Sequence, residues 1–191
     1  MSTKRAATRQ RIVNAASQGF RSQGFAGVGV DGIAKAAGVT SGAFYSHLGS
    51  KNGAFEAALE IGLDEVIAAV PVFQQQNGVH WVEEFVDYYF GKAHREDLAG
   101  GCAMTTLSPE VVRAGPEIHE LYEVKMKKIV DLMIKGLAGG TNEEKRQRAW
   151  AVIGGLIGGL TMCRAVQGTK TIQQITKSLK KSVVQAAGET E

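Results

Sequence analysis

The sequence predicts an all-α protein of about nine helices. Three observations lead there. The 191 residues include only 3 prolines and no long alternating run of Val, Ile and Thr. Ala, Leu, Gln, Glu and Lys, which lose little side-chain freedom in a helix, are abundant. Apolar residues recur three and four apart in one segment after another. The length suits either one large domain or a small domain fused to a bigger one, with room for a substantial core. The expected division is residues 1–50 and residues 51–191.

The first helix spans about residues 3 to 23. Ile12, Val13, Ala15, Ala16 and Phe20 fall at helical spacing behind Arg5, Arg9 and Arg11, and Gly24 ends the segment. Residues 24–29 read as a turn. Asp31 then lies in the first turn of a second helix, where an acid complements the helix dipole. That helix carries an apolar face at Ile33, Ala34 and Ala37 and stops at Gly38, the residue that most cheaply adopts the left-handed conformation ending a helix. Thr40 caps a third helix holding Ala43, Phe44, Tyr45 and His47, which ends near Leu48. Such a short helix is stable only when packed on a neighbour.

Ser50 is a good N-cap for a helix of 51–70, with Phe55, Leu59, Leu63, Val66 and Ile67 on one stripe and Pro71 as its stop. A fifth helix, 79–95, places Trp81, Phe85 and Tyr88 on one face beside Val82, Val86 and Tyr89, a face wide enough to demand burial. A shorter helix of 102–113 has a kink or restart at Ser108-Pro109. Pro116 suits a first helical position, and 117–137 continues with Ile118, Leu121, Tyr122, Met126, Ile129, Leu132 and Met133. Thr141-Asn-Glu-Glu144 reads as a capping box opening a helix to about Val166 that Gly168 closes. The last helix, 171–187, aligns Ile172, Ile175, Leu179 and Val183, with Lys177, Lys180 and Lys181 largely outside the stripe.

The formal charge of +3 conceals a lopsided distribution. Residues 1–51 hold seven bases (Lys4, Arg5, Arg9, Arg11, Arg21, Lys35, Lys51) against one acid, Asp31, or +6. The other 140 residues hold fifteen bases and eighteen acids, or −3. The first quarter therefore faces a polyanion and the rest does not. Cys102 and Cys163 lie far apart without metal-ligand spacing, and read as reduced thiols of a cytoplasmic protein. The longest uncharged apolar run, Ala149 to Cys163, is fifteen residues with four glycines. A spanning helix needs about 20, so no membrane segment is expected.

Motifs for catalysis are missing. Gly168-Thr-Lys170 lacks the upstream glycine of a phosphate loop, Gly27-Val-Gly29 follows a helix and not a strand, and no His-Glu-x-x-His is present. No Ser, Cys or His lies in a hydrolase-type motif. No catalytic residue, metal site or cofactor is expected.

What remains is a helix-turn-helix in a basic head. In such a unit the second helix enters the major groove with its N-terminal residues at base edges, while flanking groups hold phosphates. Thr40, Ser41, Gly42 and Ala43 form that leading edge, and their small side chains permit close approach. Tyr45, His47 and Lys51 suit phosphate contact, Lys51 standing in the first turn of the next helix, whose free N–H groups favour anions.

The run Gly38-Val-Thr-Ser-Gly42-Ala-Phe-Tyr45-Ser-His47-Leu-Gly-Ser-Lys51, preceded by Ile33-Ala34 and an arginine-bearing helix, resembles the TetR family of bacterial transcriptional regulators. The resemblance covers about residues 8 to 56. It implies a homodimer whose three N-terminal helices bind double-stranded DNA at a palindromic operator, with about six further helices forming a dimerising domain that responds to a small-molecule effector. The chain departs from the family at Val28-Gly29, where hydroxyls usually cap the second helix and touch phosphate, and at Leu48, usually Phe. Gly32 and Gly53 replace helix formers, each costing roughly 0.5–1 kcal/mol relative to Ala, which implies a loose head.

Gly154, Gly155, Gly158 and Gly159 recur at i, i+4 on a helix otherwise rich in Val, Ile and Leu. Small residues so spaced let helices approach closely. With Ile172, Ile175, Leu179 and Val183 of the last helix they form the expected dimer interface, the alternative being an intramolecular contact. For the effector, Trp81, Phe85, Tyr88, Met104, Tyr122, Met126 and Trp150 are candidate pocket residues, because ligand pockets are mostly apolar. The alternative for each is ordinary core. The function expected is that of a ligand-released repressor. The rivals are a sequence-independent architectural DNA-binding protein and a helical carrier or enzyme using only the larger domain.

Overall fold

The computed structural model describes residues 3–188 and Thr190. Among the described residues are ten α-helices, two 3-10 turns and no strand beyond an isolated bridge of Leu137 with Thr190. The all-α prediction holds, with some elements longer and others shorter than expected.

The head begins with α1 (Thr3–Gly27), which buries Ile12, Val13, Ala16 and Phe20. Gly24 does not end it. The chain kinks there, at φ 73° and ψ 171°, and helix resumes to Gly27. A kink costs the following residues their backbone acceptors, and Glu110 replaces one: its Oε1 accepts the Phe25 N–H at 3.3 Å. Next, α2 (Val30–Ala36) buries Ile33 and Ala34 and keeps Asp31 in its first turn. Gly38 takes the left-handed conformation at φ 66°, and the Val39 N–H returns to the Ala34 carbonyl at 2.9 Å. In α3 (Ser41–Leu48) the Thr40 Oγ1 accepts the Ala43 N–H at 3.2 Å, the expected cap, and Phe44 is fully buried.

Pro71 does not stop the next helix. α4 (Lys51–Asn77) runs through it. An interior proline costs about 3 kcal/mol, and the extra turns offset this by packing. Phe73 meets Phe85 and Tyr88 at ring distances of 5.1 and 5.5 Å, and the Gln74 amide donates to the Leu132 carbonyl at 2.9 Å. The helix expected over 79–95 is three pieces: a 3-10 turn Gly78–His80, α5 (Trp81–Tyr89) and α6 (Lys92–Glu96). The break falls at Gly91, extended at φ −61° and ψ 156°, and Arg95 Nη1 takes the freed Phe90 carbonyl at 2.7 Å.

Pro109 lies inside α7 (Ala103–Val111). Pro116 opens α8 (Pro116–Met133), which tightens to a 3-10 turn over Ile134–Gly136. The Thr141 and Glu144 capping box is complete at the start of α9 (Asn142–Ala165), and α10 (Thr169–Ala187) follows.

The chain divides into two compact units, neither contiguous in sequence. Unit one runs through Leu63 and adds Leu98–Tyr122; unit two is Asp64–Asp97 with the chain from Glu123 onward. Helices α4 and α8 therefore contribute to both. The segment expected as the first domain, 1–50, lies within unit one. There Phe20, Phe25 and Phe55 cluster with ring centroids 5.5–5.6 Å apart. The buried Arg21 donates to the Gly101 carbonyl at 2.8 Å. In unit two Trp81 is fully buried and its Nε1 donates to the Gly136 carbonyl at 2.7 Å. Lys125 and Asp64 pair at 2.8 Å.

Candidate nucleic-acid interface

The leading edge of α3 is built by two side chains that the turn already uses. The Thr40 oxygen caps the helix through the Ala43 N–H. The Ser41 hydroxyl donates to Asp31 Oδ1 at 2.5 Å. Asp31 is the one acid among residues 1–51, so this bond screens the head's only negative charge while fixing α2 against α3. Gly42 is left exposed and Ala43 and Ser41 half-buried, a shallow edge that permits close backbone approach.

Behind that edge Phe44 anchors the helix in the core, its ring in edge contact with Tyr45 at 5.5 Å. Tyr45 itself is 52% exposed, an amphipathic ring aimed at solvent. His47 is half-buried. Gly49 turns the chain at φ 72°, and the Ser50 hydroxyl accepts the Gly53 N–H at 3.0 Å to start α4. Lys51, expected to reach phosphate, stands with its ammonium 4.5 Å from the centre of the Phe25 ring. That cation–π contact holds the charge at the surface with no acidic partner among the described residues. The structure thus brings Thr40, Ser41, Gly42, Ala43, Tyr45 and His47 onto one short element, with Lys51 on the next.

The two glycines that implied a loose head differ from one another. A Cβ on Gly32 would lie 3.8 Å from Val28, an ordinary van der Waals contact. One on Gly53 would lie 2.3 Å from the Leu48 carbonyl oxygen. Gly53 is thus required for the close approach of the α3–α4 turn, and only Gly32 carries an unrewarded entropy cost.

The four paired glycines also divide. A Cβ on Gly155 would meet Val183 at 2.6 Å, and one on Gly159 would meet Leu179 at 2.6 Å and the Phe90 ring at 2.7 Å. These two seat α9 against α10 and Phe90 within the chain, where Val183 is buried and Leu179 half-buried. Gly154 and Gly158 meet nothing within 4 Å. They face outward with Trp150 and Met162, which are 42% and 47% exposed. Ile172 and Ile175 are half-buried.

The seven candidate pocket residues are divided between the two units. Met104 and Tyr122 belong to unit one; Trp81, Phe85, Tyr88, Met126 and Trp150 belong to unit two. Met104 is buried, and the Tyr122 and Ser108 hydroxyls share a hydrogen bond at 2.7 Å. Trp81, Phe85 and Met126 are core, while Tyr88 is 55% exposed and stacks near Phe73 and His94. Phe73, missing from the sequence candidates, fills the space between the Phe85 and Tyr88 rings. Its place beyond Pro71 hid it. Among the described residues no group of three or more His, Cys, Asp or Glu could hold a metal ion, and no helix is long and apolar enough to cross a membrane.

Comparison with known proteins places this geometry. The family model of bacterial regulatory proteins, tetR family, matches residues 12–58, which span α1, α2, α3 and the start of α4. No curated protein matches the chain in sequence. Solved structures share the fold along its length. A TetR-family transcriptional regulator from Agrobacterium tumefaciens superposes with a TM-score of 0.76 at 14% identity, covering 93% of this chain and 98% of that one. A TetR transcriptional regulator from Chloroflexus aurantiacus gives 0.73 at 21% identity, covering 98% of each. The fatty acid degradation regulator FadR from Bacillus halodurans gives 0.67 at 17%, covering 95% of each. The basic three-helix head therefore carries a segment that matches the tetR family of bacterial regulatory proteins, and the chain as a whole shares the fold of solved regulators of that name.

Proposed function

We propose that this regulator is a cytoplasmic homodimeric repressor, which holds a palindromic operator and is released by a small apolar or amphipathic molecule. One observation carries the DNA reading: the exposed, side-chain-poor edge of α3 in a head of charge +6. Two such heads must match successive major grooves, about 34–36 Å apart or a multiple of it. The outward face of α9, with Gly154 and Gly158 open and Trp150 and Met162 exposed, supports pairing of two copies there. The apolar interior of unit two, and a neighbour in fold that regulates fatty acid degradation, support an apolar effector. Release is a population shift: an effector that prefers one spacing of the heads depletes the other.

Genome-wide footprinting with this protein tests the reading. The expected result is a short palindrome bound about 10³-fold or more above random DNA at physiological salt. Tyr45→Ala weakens binding, and Lys51→Ala lowers the salt slope by about 1. Uniform binding to all sequences would instead assign an architectural role. Full function with both substitutions in place would assign the activity to the larger domain alone.

A further inference from the structure

Unit one holds a cavity of about 290 Å³ beside the Gly24 kink, lined by the apolar Phe25, Phe55 and Ile118, by the exposed Ala26 at its mouth and by the polar Asn52, Glu110 and Arg113. Small-molecule sites are concave, largely apolar and supplied with a few convergent polar groups, and this one lies near the lower end of their usual size of ~300–1,000 Å³.

Glu110 and Arg113 bring one charge of each sign to it, and they differ in how far they are engaged. Glu110 is half-buried, and the Phe25 N–H at 3.3 Å is its one hydrogen-bond partner among the described residues. A carboxylate offers about four acceptor positions, so most of its capacity is unused. Arg113 is exposed and turned back on the end of the preceding helix α7, its Nη1 donating to the Pro109 carbonyl at 2.7 Å. Phe25 and Phe55 meet edge to face at 5.5 Å, and aromatic faces attract a cation as they attract Lys51 at 4.5 Å. A half-buried carboxylate beside aromatic walls selects a positively charged donor on an apolar body.

We propose that this cavity binds a small primary amine with an aromatic body, its ammonium pairing with Glu110. The site is separate from the DNA-reading edge and does not depend on the repressor reading. Binding has a local consequence. The ammonium competes for the oxygen that satisfies the Phe25 N–H, the backbone donor freed where α1 kinks.

Calorimetric titration of the full chain without DNA, using phenethylamine, phenethyl alcohol and phenylacetate, tests this. These probes share a body and differ in head group. The amine is expected to bind about 10- to 100-fold tighter than the alcohol, as a charge-assisted hydrogen bond provides, and phenylacetate weakest. Glu110→Gln removes the amine's advantage, and Ala26→Leu, at an exposed position, weakens all three by blocking the mouth. The amide resonance of Phe25 shifts with the amine and not with the alcohol. Equal affinities for amine and alcohol, tightest binding of phenylacetate, or no binding at millimolar amine overturns the proposal. Should Glu110→Gln fail to fold, the head-group series and Ala26→Leu still decide.

Discussion

Gly158 and Gly159 are adjacent in sequence and opposite in consequence. A methyl on Gly158 meets nothing within 4 Å, while one on Gly159 is driven into Leu179 at 2.6 Å and Phe90 at 2.7 Å. Both substitutions to Ala gain the same helix propensity, about 1 kcal/mol, so it cancels between them. What separates them is overpacking at Gly159, typically 1–3 kcal/mol. At about 2–4 °C per kcal/mol for a chain of this size, Gly159→Ala should melt roughly 2–12 °C below Gly158→Ala. Association must be removed first, because dimer formation adds to stability. Gly154→Glu serves that purpose, since its side chain also enters open space and places two carboxylates against each other wherever copies meet through α9. The assay is light scattering on Gly154→Glu, followed by thermal melts of the two Ala variants in that background. A dimer that survives Gly154→Glu at micromolar protein refutes the α9 interface. A Gly159→Ala melt at or above that of Gly158→Ala refutes the packing argument.

Three further outcomes follow from the packing of single side chains. Gly32→Ala should stabilise the protein by about 0.5–1 kcal/mol, whereas Gly53→Ala should destabilise it by about 1–3 kcal/mol, because the Leu48 carbonyl 2.3 Å away is backbone and cannot step aside. Urea titrations of the two variants check the signs. Trp81→Phe strands the buried Gly136 carbonyl that the indole holds at 2.7 Å, a loss of about 1–3 kcal/mol readable in the same titration. Tyr122 gives a pH dependence. Burial pushes its hydroxyl above the usual tyrosine range, the hydrogen bond with Ser108 opposes this, and Cys102 adds to the rise. Its contribution to stability is complete below about pH 10, the unfolded value, and is lost as pH climbs through the folded value, because the unfolded chain releases its proton first. Tyr122→Phe should flatten that part of the alkaline decline, and an unchanged slope between wild type and variant counts against it.

The head was legible because its signals are local. Thr40 caps what stands three residues on, and Gly38 turns where a left-handed residue is needed, so position in the chain implied position in space. Partners distant in sequence had no such signal. Nothing about Lys51 points to Phe25, and nothing about Phe25 points to Glu110. The glycine pairs show the same limit more finely. Their spacing put them on one helix face, but which member of each pair turns inward depends on the phase of α9 against α10, which no single-helix pattern contains. Pro71 and Gly91 misled in opposite directions. The proline rule was outweighed by Phe73 and Gln74 packing beyond it, and the aromatic stripe of 81–89 masked a real break. A stripe of rings has one period whether the rings line a pocket or fill one another's gaps, and in unit two Phe73 fills the gap.

The two tryptophans of the chain differ completely in surroundings: Trp81 is sealed in unit two and bonded to Gly136, and Trp150 is 42% exposed on the outward side of α9. The molecule therefore contains two optical reporters with separate jobs. Light emitted by Trp81 follows unfolding and resists a soluble quencher, while Trp150 is quenched in the isolated chain and becomes shielded when a second copy covers it. One fluorescence titration against protein concentration, with Trp150→Phe as the silent control, separates assembly from folding without any label.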